Sequence, residues 1–157
     1  GRVLARGAAL ETALTQAITT TRLALAAELA GIGARALEIT VDYTANRVQF
    51  GKTIASFQAI QHRLVDMWAE AEFACSACLN AATAPEGEVA QAVLAAKARA
   101  GDSATAITRK AIQLHGAMGF TDQCDIGLYL KRAIALNATL GQPEELRLAF
   151  LSAERAA

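Results

Sequence analysis

A chain of 157 residues with 54% hydrophobic content is long enough for one domain with a substantial core and too short to require two. Lys+Arg and Asp+Glu number 15 each, so no basic excess exists to drive binding to nucleic acid or to an anionic membrane surface. The hydrophobic total rests largely on alanine, interrupted every few residues by charge or amide, and no stretch supplies the ~18 uninterrupted apolar residues of a membrane span.

The predicted elements follow from apolar periodicity. Leu10, Leu14, Ile18, Leu25, Leu29, Ile32, Ala36, Ile39 and Tyr43 recur in steps of three and four, with Thr21 filling the one gap and no intervening proline, which predicts one long amphipathic helix. Gly31 and Gly33 are read as points of close approach by a neighbouring helix. The first real break falls at Gly51. A second helix is predicted from an N-cap at Ser56, with Phe57, Ile60, Leu64, Met67, Trp68, Ala71, Cys75 and Leu79 on one face, ending at Ala84-Pro85-Glu86-Gly87. A third runs from about Glu88 to His115 with Val89, Val93, Ala96, Ala100, Ala104, Ile107, Ala111 and Leu114 inward. It stops at Gly116 and Gly119, which suit a left-handed C-cap.

After Phe120-Thr121-Asp122 a fourth helix carries Leu128, Leu130, Ala133, Ile134 and Leu136. Pro143 followed by Glu144 and Glu145 starts the last one, with proline in the first turn and acids at the positive end of the dipole. No strand-like alternation is present. The predicted fold class is all-α, an up-down four-helix bundle with an extra short C-terminal helix, and residues 1–157 form a single domain.

Three cysteines, odd in number and not spaced as a small disulfide framework, point to a reducing compartment, so the expected location is cytoplasmic. Gly1-Arg2-Val3-Leu4 reads neither as a signal peptide nor as a native N-terminus, and a fragment of a longer chain is the expectation. Cys75 and Cys78 have CxxC spacing but lie mid-helix without a second pair, and they are read as small apolar fillers. His62 and His115 fall in neither an HExxH nor an ExxH arrangement, so no metal site is expected. Neither a phosphate-binding glycine loop nor a GxSxG motif is found.

Two runs break the helical pattern in a chemically informative way. The first is Arg47-Val48-Gln49-Phe50-Gly51 with Ser56-Phe57-Gln58; the second is Gln113-Leu114-His115-Gly116-Ala117-Met118-Gly119-Phe120. A guanidinium offers fixed donors to a pyrophosphate, and an amide can bind a ribityl or adenine group. Arg22 is a third feature, the only charge between Glu11 and Glu28, at the edge of the buried stripe. A lone arginine there either snorkels to solvent or has a partner.

In order and spacing these features resemble the C-terminal helical domain of acyl-CoA dehydrogenases, flavoproteins that form a Cα–Cβ double bond in an acyl-CoA. The resemblance covers nearly the whole chain, through RxxFG and FQ, then QLHGAMGF, the Leu130-Lys131-Arg132-Ala133 segment and the last helix. It implies that Arg47, Phe50 and Gln58 contact FAD across a subunit interface, that the backbone of the Gln113, Gly116 and Ala117 motif approaches the ADP half of FAD, and that Arg22 lies beside the acyl-CoA. It also implies a dimer or tetramer, homomeric or heteromeric, an electron acceptor of unspecified kind, and separate N-terminal helical and middle β-domains outside this chain. Ala117 stands where the family has a second glycine.

The resemblance fails at the base. The family removes the α-proton with a glutamate, most often in the loop whose position here is Gly141, or in a minority immediately before the arginine of the first helix, here Thr21. Neither residue can take a proton, and Pro143 stands where a threonine is expected beside the flavin. The preferred expectation is the base-lacking subunit of a heteromeric acyl-CoA dehydrogenase. The alternatives are Glu144 as a substitute base, or a non-catalytic helical module.

Overall fold

The computed structural model describes residues 6–156, with side chains through Arg155, so the reading of Gly1 to Leu4 lies outside the described residues. Five helices follow in chain order: α1 (Ala8–Asn46), α2 (Gln58–Thr83), α3 (Val89–His115), α4 (Ile126–Ala138) and α5 (Pro143–Ala156). At 39 residues α1 is the longest, on the order of 58 Å at 1.5 Å per residue. The first four form the up-down bundle and α5 packs on α3, which gives the all-α class read from the sequence.

The direction of each helix is visible in its partners. A Cβ at Gly33 on α1 would stand 3.0 Å from Ile107 Cδ1 on α3, and ten residues on Tyr43 meets His115, so α1 and α3 run parallel. Between them α2 runs the other way, with Glu70 accepting from Arg99 and Ser103 of α3. Lys97 of α3 reaches Asn137 of α4, whereas Ile126 packs near Ile112, so α4 is antiparallel to α3. Arg147 of α5 pairs with Asp102 of α3. α3 therefore touches every other described α-helix, which explains why its buried side is rich in Ala, Gly, Ser and Thr: small side chains let four neighbours approach one cylinder.

One core cluster centres on Ala26, Leu29, Ala100, Ala133 and Leu136, a second on Ala36, Met67, Ile107, Ala111 and Ile126. Leu14, Trp68 and Leu79, which the predicted apolar stripes include, are exposed, as are Leu128 and Ile134 on α4. The first ten residues of α1 have no neighbour to cover them, and the apolar arcs of α2 and α4 are wider than the contact each makes with the bundle.

Three local expectations are corrected. A short antiparallel ladder lies within the stretch read as strand-free, pairing β1 (Val48–Gln49) with β2 (Lys52–Thr53). Phe50 (φ 54°) and Gly51 (φ 79°) form its two-residue loop, and two positive φ values are the geometry of a type I′ hairpin, too short to register as alternation. Ser56 does not cap α2; its hydroxyl donates to Thr53 O at 2.7 Å and closes a 3₁₀ turn at Ile54–Ser56, while Phe57 occupies the N-cap without a side-chain bond. Gly33 is a close-approach point, but Gly31 is exposed and a Cβ there would meet nothing within 4 Å.

Candidate functional site

The hairpin folds back on the end of α1 because Arg47 O accepts from Ile54 N at 2.8 Å, while Arg47 N donates to Tyr43 O at 2.9 Å. Arg47 is thus fixed in backbone at the C-cap of α1 with its side chain free. Phe50 is 89% exposed at the tip, with its ring edge-on to Phe57 at 6.1 Å between centroids. A bulky residue with positive φ is a backbone outlier, of the kind that concentrates at functional sites. Lys52 Nζ lies 4.2 Å from the Phe57 ring centre, a cation–π contact that braces the second strand.

The other motif reaches the same place from the end of α3. Gly116 (φ 60°, ψ −138°) ends the helix in a conformation open to glycine but outside the left-handed cap region, and a 3₁₀ turn, Gly116–Phe120, follows. Gly119 serves close packing: a Cβ there would stand 2.8 Å from Ile112 O and 3.2 Å from His115 Cβ. His115 is buried, its Nδ1 donating to Ala111 O at 2.8 Å, and its ring stacks on Tyr43 with centroids 4.2 Å apart. Tyr43 Oη donates to His115 O at 3.3 Å, which locks the ends of α1 and α3 together.

Between these motifs lies an open cleft of about 650 Å³. It is lined by Tyr43, Arg47, Gln49, Phe50 and Phe57 on one side and Gln113, His115, Gly116, Ala117 and Met118 on the other, with Arg63 of α2 between. Five of the six residues proposed from the sequence for cofactor contact line it; Gln58 is exposed at the first turn of α2 and does not. Arg63, Tyr43, His115 and Gln49 line it without having been singled out for this role. No carboxylate lines the cleft, and neither Arg47 nor Arg63 makes an ion pair among the described residues. Two unpaired guanidiniums without an acid are suited to an anion.

A second constellation forms about 27 Å from the cleft, the rise of the 18 residues of α3 between Lys97 and His115. Arg22 is half-buried and its Nε donates to Leu140 O at 2.9 Å. A Cβ built on Gly141 would lie 3.7 Å from Arg22 Nη2, so the arginine proposed for substrate and the loop position proposed for the base are neighbours. Thr21, one residue before, is exposed, and its hydroxyl donates to Ala17 O at 2.7 Å. No side chain able to take a proton stands at Thr21, Leu140 or Gly141.

Glu144 is exposed on the first turn of α5. Glu145 Oε2 accepts from Gln142 N at 3.0 Å while Gln142 O accepts from Leu146 N, so Glu145 works as a capping acid. Cys75 and Cys78 are part-buried free thiols, and burial, then the Cys75 charge, pushes the Cys78 thiol up to about 11, far from a reactive thiolate. No cluster of potential metal ligands and no helix long and apolar enough to cross a membrane exists among the described residues.

Fold and motif order define a C-terminal helical domain of the acyl-CoA dehydrogenase type, and the match to known proteins is direct. The model of the acyl-CoA dehydrogenase C-terminal domain matches residues 10–152. The chain belongs to the acyl-CoA dehydrogenase family. It is 38% identical over 135 residues to the acyl-CoA dehydrogenase IpdE2 of Mycolicibacterium smegmatis, covering 86% of this chain and 42% of that protein. Against the acyl-CoA dehydrogenase FadE34 of Mycobacterium tuberculosis it is 40% identical over 121 residues, 74% of this chain and 17% of the other.

Among solved structures, butyryl-CoA dehydrogenase from Megasphaera elsdenii superposes with a TM-score of 0.84 at 28% identity, covering 88% of this chain and 37% of that one. A steroid ACAD, Tcur3481-Tcur3483, gives 0.85 at 29% identity, covering 92% and 42%. The chain thus spans less than half the length of these relatives.

Proposed function

We propose that this chain is the C-terminal domain of an FAD-dependent acyl-CoA dehydrogenase, and that it belongs to the subunit without a base in a heteromeric enzyme. The observation that carries the flavin assignment is the acid-free cleft in which the RxxFG hairpin and the QLHGAMG turn, far apart in sequence, come together around Arg47 and Arg63. The residues fit the group: two guanidiniums for a pyrophosphate, Gln113 and Gln49 for polar edges, and a backbone left open at Gly116 and Ala117. FAD when bound supplies the hydride acceptor. In this reading the cleft receives the flavin of a neighbouring subunit, and the Arg22–Leu140–Gly141 corner faces the acyl thioester about 27 Å away.

A base within hydrogen-bonding reach of the α-proton is required, and the two positions where the family keeps it hold Thr21 and Gly141. The partner subunit supplies it in this proposal. The paired name of the steroid ACAD Tcur3481-Tcur3483 is in keeping with a two-component enzyme.

Purified full-length protein provides the test. It should carry flavin, and Arg47→Ala and Arg63→Ala should each weaken retention by about ten- to a hundredfold, the equivalent of a charge-assisted contact of roughly 1.5–3 kcal/mol. The homomer should not bleach its flavin with acyl-CoAs, whereas co-expression with a glutamate-bearing partner should restore bleaching. Equal flavin content in wild type and variants at limiting FAD would remove the cleft from the cofactor. Bleaching by the homomer at ordinary dehydrogenase rates would end the heteromer assignment and make Glu144→Gln the next variant.

A further inference from the structure

Lys97 is the charged group that neither the cleft nor the acyl-side corner has used. It projects from the middle of α3, is 0% exposed, and pairs with no carboxylate among the described residues. Its Nζ donates instead to Gly141 O at 2.8 Å and to Asn137 O at 3.3 Å. Asn137 O belongs to the last turn of α4, where carbonyls have no partner within the helix and the dipole favours a cation.

Arg22 grips the adjacent carbonyl, Leu140 O, from α1. Two consecutive carbonyls are therefore held by cations from two different helices. The backbone between them has Leu140 at φ 56° and Gly141 at φ 110°. A left-handed leucine is uncommon and persists where its surroundings over-determine it. The end of α4 is seated closely: a Cβ on Gly101 would stand 2.1 Å from Asn137 Oδ1, so the Asn137 side chain, as placed, lies over a glycine of α3.

A lysine that merely filled space would be better replaced by an apolar residue of the same length, because burying an ammonium without an opposite charge is costly. Burial, then the charge of Arg22, lowers the Lys97 pKa, as befits two cations sharing one loop. We propose that Lys97 is a positioning residue: through the Gly141 and Asn137 carbonyls, and opposite Arg22, its ammonium fixes the backbone of the loop at 139–142 and with it the wall this chain presents to the acyl thioester. The proposal rests on the reading of this corner as the acyl-CoA side of the site.

The experiment compares Lys97→Met, Gly101→Ala and Ile107→Ala in the full-length flavoprotein, assembled with its partner if assembly requires one. Butyryl-CoA, octanoyl-CoA and a steroid acyl-CoA are titrated against the flavin absorbance. Lys97→Met removes the charge and keeps the length; Gly101→Ala crowds the Asn137 side chain with Lys97 intact; Ile107→Ala loosens the second core cluster, about 15 Å along α3 from Lys97. The expected result is at least a tenfold rise in acyl-CoA Kd for the first two, with flavin occupancy unchanged, and no rise for Ile107→Ala at comparable loss of stability.

Wild-type Kd in Lys97→Met and Gly101→Ala, or an equal rise in Ile107→Ala, overturns the proposal. If Lys97→Met does not fold, Gly101→Ala against Ile107→Ala decides alone. A wild-type protein that holds flavin but binds none of the three thioesters refutes the acyl-side reading itself, before any variant is compared, and takes this proposal with it.

Discussion

Restoring a carboxylate at each of the two base positions should have very unequal consequences for stability. Thr21 lies on the exposed side of α1 in helical backbone, and its hydroxyl bonds only to Ala17 O of its own helix. Thr21→Glu exchanges a poor helix former for a better one, and its effect should stay within about 0.5 kcal/mol. Gly141 is different in kind. Its φ of 110° is a region that side-chain-bearing residues rarely enter, which costs about 1–3 kcal/mol.

A Cβ at Gly141 would also meet Leu146 Cδ2 at 2.8 Å and its Cγ at 3.3 Å, and Leu146 is buried, so the shift it must make adds roughly 1–3 kcal/mol of overpacking. Gly141→Glu should therefore lose about 2–6 kcal/mol, or on the order of 4–24 °C in Tm for a chain of this size. Chemical denaturation of the two variants side by side measures the difference. Equal stability would show that the loop adapts freely and would refute the reasoning from the Gly141 backbone and its contact with Leu146. In the full-length enzyme Thr21→Glu, next to Arg22, is the variant expected to regain acyl-CoA oxidation, toward the hundred- to ten-thousandfold that a general base contributes.

Gly119→Ala should destabilise by about 1–3 kcal/mol in urea unfolding, because the new methyl meets the backbone oxygen of Ile112 at 2.8 Å rather than a movable side chain. Leu29→Ala, at 0% exposure in the larger core cluster, should cost about 2–5 kcal/mol by the same assay. Cys78, with its thiol raised from 9.0 to about 11, should react with iodoacetamide near neutral pH roughly a hundredfold more slowly than the ordinary thiolate fraction predicts, and mass mapping of the alkylated protein reads this directly. Since burial and Arg22 lower the Lys97 pKa, the unfolded chain holds a proton that the native chain has released between the lowered value and 10.5; wild-type stability should rise with pH across that window relative to Lys97→Met, and a flat difference would contradict it.

The helices were legible in the sequence because their information is local. Steps of three and four place α1, α3 and α4 to within a few residues, and Pro143 with Glu145 announces α5 by the same chemistry that caps it. The motifs were legible for a related reason: Arg47, Phe50, Gly51, Gln113 and Gly116 interrupt apolar helices where packing gives no cause for them. Five of the six proposed cofactor residues consequently fall in one cleft.

Tertiary structure alone decided the rest. Whether Trp68 or Leu79 is covered depends on how much of α2 its neighbours reach, and both are exposed. The role of Lys97 was invisible because an inward lysine in an alanine-rich helix is explained only by carbonyls that α4 and its following loop deliver from 40 and 44 residues away. Likewise Arg63 enters the cleft, and Gln58 misses it, through the pitch at which α2 leaves the hairpin. Periodicity fixes which face of a helix is apolar; the convergence of side chains from different helices is set by how those helices pack.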